Sequence, residues 1–171
     1  MQIPNKEVKK IYRQQIIHWM KKTLQTRDLS GLFDAITTGD ADNLQRELTP
    51  LLVDSISYMD NYENFYHGFL LGILMNLDGY KVTSNREAGE GRYDISLEHL
   101  AGVNEPIIIE LKMAGRKKEL DIAAKKALIQ ILEKEYDAPF RAEGYSRCIH
   151  IGIALYKKMC LVKCEIVDLS D

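Results

Sequence analysis

Apolar residues recur at helical spacing through the first part of the chain. The first apolar stripe comprises Val8, Ile11, Tyr12, Ile16, Trp19 and Met20. This spacing predicts a helix over about residues 5–25. A second helix is predicted over residues 29–38 and a third from Asp42, with Pro50 at a boundary or in a new first turn. We therefore expect a helical extension or linker subdomain over residues 1–60.

The pattern changes at residue 61. Apolar positions from Tyr62 to Leu77 predict a helix that is closed by Asp78-Gly79. Alternating polar and apolar residues then predict strands over 80–87 and 92–99, joined by a turn with two glycines. Ile107-Ile108-Ile109 is a β-branched run typical of a buried central strand.

A second amphipathic helix and two further strands complete the pattern. The helix is predicted over Lys117 to Tyr136, with its inward positions at Leu120, Ala124, Ala127, Leu128 and Ile131. The strands are predicted over about 148–155 and 159–167. From residue 61 the order is helix, three strands, helix and two strands. This order predicts an α/β domain over 61–171, a mixed sheet with helices packed on it.

Composition narrows the function classes only slightly. Hydrophobic residues make up 46% of the chain and charged residues 28%, which is typical of a globular protein. Three cysteines are too few for a disulfide framework, and no apolar run reaches the roughly 20 residues of a membrane span. We expect a cytoplasmic protein that does not associate with a membrane. A net charge of −2 neither requires nor excludes a nucleic acid partner.

One short cluster of charged residues could carry chemistry. Glu110 and Lys112 follow the isoleucine run and share one face of their strand, because side chains alternate. Asp94 in the preceding strand lies beside that face if the two strands pair as a hairpin. Two carboxylates are costly to bury unless a cation such as Mg²⁺ accompanies them. A simple ion pair between Glu110 and Lys112 on a partly exposed strand is the alternative.

These residues and the order of elements resemble the PD-(D/E)XK nuclease superfamily, whose core is αβββαβ. The stretch Ser84–Ile95, followed by Ile109-Glu110-Leu111-Lys112, is most similar to the C-terminal nuclease-like domain of bacterial AAA-ATPase-like proteins. The resemblance covers about residues 61–165 and includes Tyr66–Gly72. Residues 1–60 resemble the connection between ATPase and nuclease-like domains. We therefore expect the chain to be part of a longer protein.

The resemblance implies a role for each residue of the charged cluster. Asp94 and Glu110 would bind Mg²⁺ or Mn²⁺ together with the backbone carbonyl of Leu111. Lys112 would position or activate the attacking water and stabilise charge on the scissile phosphate. Glu63 would complete the metal site from the first core helix.

The resemblance also implies supporting residues, each with an alternative. Gln130 would support the site from the second helix, or it is a solvated polar residue. Glu63 could equally be a surface helix residue. Arg92 would contact phosphate, or would hold the glycine turn by pairing with Glu87 or Glu90. His67, one turn after Glu63, is either a satisfied, partly buried histidine or a partner of the site.

Basic residues flank the implied site. They are Arg116, Lys117, Lys118 and Lys126 on the second helix and its first turns. They either form a solvated face or contact the phosphate backbone.

The resemblance implies a restriction-endonuclease-like fold and metal-dependent hydrolysis of nucleic acid phosphodiesters, with DNA as the expected substrate. The implied partner besides DNA is an AAA-type ATPase domain that lies outside this chain. An alternative is a catalytically silent module that binds nucleic acid or protein within a larger ATPase. A homodimer formed through Trp19 and the N-terminal helix is a third hypothesis.

Overall fold

A computed structural model describes residues 26–55, 63–84 and 87–170. The described helices are α1 (Ser30–Thr38), α2 (Ala41–Ser55), α3 (Glu63–Leu74), α4 (Leu120–Glu133) and α5 (Ala138–Ala142). The strands are β1 (Tyr80–Ser84), β2 (Glu87–Ala88), β3 (Gly91–Arg92), β4 (Ile95–His99), β5 (Ile107–Met113), β6 (Arg147–Tyr156) and β7 (Met159–Asp168). The helix predicted over residues 5–25 lies outside the described residues.

Five strands form a mixed sheet in the order β1-β4-β5-β6-β7. β5 and β6 pair in parallel, and the other neighbours pair antiparallel. The parallel pair requires a crossover, which α4 and α5 provide. β2 and β3 form a separate small hairpin. The predicted α/β class, with a mixed sheet flanked by helices, is confirmed.

The sheet separates two apolar layers because its side chains alternate. Ile107, Ile109 and Leu111 of β5 pack on one side, in a core shared with α1, α2 and α3. Ile108 packs on the other side, against residues of α4 and α5. The five inward positions predicted for the second helix are all buried.

The Pro50 prediction was wrong, because α2 continues through this residue. Proline removes one backbone donor from a helix and disfavours its interior. Here Leu48, Leu51 and Leu52 are buried on either side of it. Burial of these side chains in the shared core offsets the lost hydrogen bond.

The two strands predicted over 80–87 and 92–99 are each interrupted. Ladder pairing between β1 and β4 ends at Ser84 and Ile95. Beyond this point, β2 (Glu87–Ala88) and β3 (Gly91–Arg92) form a hairpin. The hairpin packs on the end of α4 through a hydrogen bond from the Glu90 nitrogen to the Lys134 oxygen at 2.9 Å. The structure therefore has a hairpin where alternation alone predicted longer strands.

The predicted second helix is also shorter than expected. A 3₁₀ turn covers Lys117–Glu119, and the α-helix ends at Glu133. α5 follows and was not predicted from the sequence. Within the described part of the chain, every helix is too short or too polar to cross a bilayer.

Candidate active site

Asp94 lies where the ladder between β4 and β5 ends. The last paired residues are Ile95 and Ile109. Leu111 lies two residues further along β5, so its N–H points to the same neighbouring strand. The Asp94 carboxylate takes the place of a strand carbonyl there and accepts this hydrogen bond, with Oδ2 2.8 Å from the Leu111 nitrogen. This contact fixes Asp94 beside the segment that carries Glu110.

Glu110 faces α4 from the central strand of the sheet and is only 2% exposed. Its Oε1 accepts hydrogen bonds from Lys112 Nζ at 2.9 Å and from Gln130 Nε2 at 2.5 Å. The structure thus brings Asp94, Glu110, Lys112 and Gln130 together. Pairing of Glu110 with Lys112, the simpler alternative, is also present, but the carboxylate is buried rather than partly exposed.

The second carboxylate oxygen of Glu110 is buried and has no hydrogen-bond partner among the described residues. Burial, and then the nearby Asp94 carboxylate, raise the pKa of Glu110 to about 7, although Lys112 acts in the opposite direction. Without a cation, Glu110 therefore retains its proton to a higher pH than an ordinary carboxylate. When both carboxylates are ionised, the site holds more negative charge than Lys112 balances.

Gln130 has a second partner that sequence reasoning missed. Its Nε2 also donates to the Tyr136 hydroxyl at 3.1 Å. Tyr136 is buried and packs edge-to-face on Tyr93, next to Asp94. Tyr136 lies beyond the end of α4, so its separation from Gln130 does not match the one-turn spacing that marks neighbours on a helix. A spacing rule could not have found this contact.

His67 contacts the backbone of Asp94 from α3. Its Nε2 lies 3.0 Å from the Asp94 carbonyl oxygen and 3.0 Å from Ser84 Oγ. Glu63 is the first residue of the same helix, one turn before His67, and its side chain lies outside the described atoms. The metal-binding roles predicted for Glu63 and for the Leu111 carbonyl stay predictions.

The predicted phosphate-contacting residues are all exposed. Arg116, Lys117 and Lys118 lie at the turn before α4, and Lys126 lies one helical turn before Gln130. Arg92 donates to Glu87 Oε1 at 2.8 Å across the β2–β3 hairpin. The structural role considered for Arg92 is therefore present.

A divalent cation is suited to the carboxylate pair. Among the described residues, no three or more His, Cys, Asp or Glu side chains are grouped to hold a metal. Asp94 and Glu110 nevertheless supply two carboxylates, and one buried Glu110 oxygen has no hydrogen-bond partner in the part of the chain that the structure describes. Magnesium prefers one or two carboxylates and completes its shell with water and substrate oxygens. The residues present therefore fit such an ion.

The mixed sheet, with Glu110 and Lys112 on β5 and Asp94 directly before β4, defines a restriction-endonuclease-like α/β protein. A family model described as the PD-(D/E)XK nuclease superfamily matches residues 61–165, and the chain belongs to this superfamily. Members of the superfamily are usually nucleases and typically use divalent metals. No curated protein matches the chain.

Proposed function

We propose that the chain is a metal-dependent nuclease that hydrolyses phosphodiester bonds of DNA. The observation that carries this proposal is the buried Glu110 carboxylate, which has one oxygen without a hydrogen-bond partner among the described residues. It lies beside Asp94, whose carboxylate accepts the N–H of Leu111, the residue after Glu110. A merely structural ion pair does not explain why a second carboxylate adjoins a buried one. Recruitment of a divalent cation does explain it, because the cation offsets both charges.

Asp94, Glu110, the Leu111 carbonyl and Glu63 would hold Mg²⁺ or Mn²⁺. When bound, such an ion supplies positive charge that polarises the scissile phosphate and favours ionisation of a nearby water. The hydrogen bond from Leu111 to Asp94 orients one carboxylate, and the one from Gln130 to Glu110 orients the other. These contacts hold both carboxylates before substrate arrives, so little reorganisation is needed.

Lys112 acts on the reacting atoms. Its ammonium group is partly exposed and lies 2.9 Å from Glu110 Oε1, so it can turn from this contact towards an incoming phosphate. There it would orient the attacking water and stabilise the charge that develops on phosphorus-bound oxygens. The water oxygen forms the new bond to phosphorus and gives up a proton to solvent. The bond to the leaving oxygen breaks, and the leaving oxygen takes up a proton from solvent, so no net proton is gained or lost in the step.

The basic residues near α4 supply a path for the nucleic acid backbone. Arg116, Lys117 and Lys118 are exposed at the start of the helix, and Lys126 lies one turn before Gln130. Cationic side chains at these positions attract phosphates without reading sequence. Arg92 would contribute only by exchanging its Glu87 partner for phosphate.

We further propose an AAA-type ATPase as the partner of this nuclease domain. The similarity of Ser84–Ile95 to nuclease-like domains of bacterial AAA-ATPase-like proteins supports this pairing. Mass spectrometry of the native protein, captured from cells with an antibody against this chain, should find a phosphate-binding loop in the same polypeptide or in a protein that co-purifies with it. Recovery of the chain without such a loop in either place would contradict this partner.

A cleavage assay tests the proposed activity. The full chain is incubated with linear duplex, single-stranded and branched DNA in Mg²⁺, Mn²⁺ or EDTA. We expect cutting that requires the metal and that falls by at least roughly 100-fold in Asp94→Ala and in Lys112→Ala. The first variant loses a carboxylate that would hold the metal, and the second loses a cation that would stabilise charge at the reacting centre.

Lys81→Ala is the matched control, since Lys81 forms a surface ion pair with Glu98. It should cut as the wild type does. Equal cutting by wild type and by Asp94→Ala, or cutting in EDTA, would refute the assignment. Metal binding without cutting of any of the DNA substrates would favour the catalytically silent alternative.

A further inference from the structure

The helix α3 carries a histidine that the proposed reaction does not use. His67 is partly buried and reaches across to the segment between β3 and β4. Its Nε2 lies 3.0 Å from the carbonyl oxygen of Asp94. The contact is to the backbone of a residue whose side chain belongs to the carboxylate pair.

Asp94 lacks the support that its neighbours receive from the sheet. Pairing of β4 with β1 and with β5 begins at Ile95, so Asp94 lies just outside both ladders. Its carboxylate is held by the Leu111 N–H at 2.8 Å, and its carbonyl by His67. The side chain and the backbone of Asp94 are therefore each held by a contact that replaces strand pairing.

The oxygen of Asp94 in this contact belongs to a backbone carbonyl, which only accepts hydrogen bonds. The ring hydrogen of His67 is therefore assigned to Nε2, the tautomer that donates to this carbonyl. Ser84 Oγ, 3.0 Å from the same nitrogen, then acts as a second acceptor of a three-centre hydrogen bond. Ser84 is the last residue of β1, and His67 therefore joins α3 to both strands that end beside Asp94.

We infer that His67 is a positioning residue, which sets the place of the Asp94 carboxylate by holding the Asp94 carbonyl. This inference rests on the proposed function. Outer contacts of this kind orient metal-binding groups, and their loss typically costs 10- to 100-fold in metal affinity or activity. Histidine suits the position because its ring is rigid and places a donor far from the helix backbone.

Two substitutions distinguish the effect of the His67 hydrogen-bond donor from the effect of its ring shape. His67→Phe keeps an aromatic ring and removes the donor, so we expect the Mn²⁺ dissociation constant to rise roughly 10- to 100-fold. His67→Gln restores an N–H near the Nε2 position and should recover most of that affinity. Mn²⁺ binding to the full chain is measured by calorimetry, and DNA cleavage is measured in parallel.

His99→Phe is the matched control, because His99 lies at the opposite end of β4 and packs on Tyr80. It should bind Mn²⁺ as the wild type does. Thermal melting checks that each variant is folded. In the wild type, nitrogen chemical shifts of the His67 ring should show the hydrogen on Nε2, and a hydrogen on Nδ1 alone would overturn the inference whatever the variants do.

The outcomes distinguish this inference from the proposed function. Wild-type affinity and cleavage in folded His67→Phe, or equal impairment of the Phe and Gln variants, would overturn the positioning role. Wild-type chain that binds Mn²⁺ but does not cut DNA would refute the nuclease proposal, while the affinities still decide the role of His67. Wild-type chain that binds no Mn²⁺ would refute both.

Discussion

The Glu110 carboxylate lies beneath α4, where very little of it is exposed to water. Sequence reasoning selected this residue as a candidate because it follows three isoleucines, and it placed Lys112 on the same face of the strand from side-chain alternation. It placed Asp94 beside that face by assuming that the two strands pair. Side-chain alternation is a local property, so the sequence is sufficient to predict it. The contacts of Tyr136 and His67 join residues from different elements, and no local pattern encodes them.

Glu110 makes metal-free stability depend on pH. Its pKa rises from 4.5 to about 7 on folding because of burial and of Asp94. The folded state therefore binds the proton more tightly than the unfolded state. The contribution of Glu110 to the free energy of unfolding should be highest below pH 4.5 and should fall as pH rises through about 7, by on the order of 3 kcal/mol.

Urea unfolding of the full chain in EDTA, measured between pH 4.5 and 8, tests this prediction. Glu110→Gln removes the titrating group and should flatten the decline. Glu98→Gln is the control, because Glu98 lies in a surface ion pair and should leave the decline in place. An unchanged decline in Glu110→Gln would show that another group causes it.

At the scale of elements, the β2–β3 hairpin lies between β1 and the residue Asp94. Its tip packs on the carboxyl end of α4, where the Glu90 N–H satisfies the Lys134 carbonyl. Alternation predicted two long strands here because polar and apolar residues do alternate through the hairpin. What ends the strands is the docking of the hairpin on α4, a contact with a distant part of the chain.

Gly89 is the tightest point of this docking. It has a φ of +51°, and a Cβ there would lie 2.0 Å from the Lys134 carbonyl oxygen. Gly89→Ala should therefore reduce the free energy of unfolding by about 2–4 kcal/mol, from backbone strain together with overpacking. Because the hairpin leads into Asp94, cleavage should fall as well.

Gly144→Ala provides the comparison for Gly89→Ala. Gly144 also has a positive φ, +89°, but a Cβ there would have no heavy atom of the described residues within 4 Å, apart from its chain neighbours. Chemical denaturation should thus show a loss of only about 1–2 kcal/mol, from backbone strain alone. Equal losses in the two variants would mean that the hairpin does not need its close approach to α4.

At the scale of the whole molecule, charge is distributed unevenly although its sum is only −2. Exposed cations cluster at Arg116–Lys118 and continue to Lys126 on α4. On the same helix, Lys125 is instead paired with Asp121 at 2.9 Å. The net charge of the chain could not predict this cluster of exposed cations. The positions of the basic residues in the sequence, before and along the helix, did predict it.

Replacement of Arg116, Lys117, Lys118 and Lys126 by alanine should weaken duplex DNA binding and reduce its salt dependence. Each lost phosphate contact lowers the slope of log affinity against log salt by about 0.9, so the four changes should lower it by about 3 to 4. Fluorescence anisotropy from 50 to 200 mM salt measures the slope. Lys125→Ala should change this slope by less than about 1. An unaltered slope in the quadruple variant would show that these four residues do not contact DNA phosphates.

β7 is one of the two edge strands of the sheet and is ten residues long. The unpaired backbone groups of a long edge strand can pair with another chain. α2 packs along β7, and the Gln45 side chain accepts the outward Val162 N–H at 3.0 Å. The glutamine amide thus occupies the place that the backbone of an incoming strand would take. Any chain that extended the sheet at this point would first have to displace Gln45. A side chain from a helix therefore occupies a backbone hydrogen-bonding group at the edge of the sheet. This contact opposes edge-to-edge aggregation at this position.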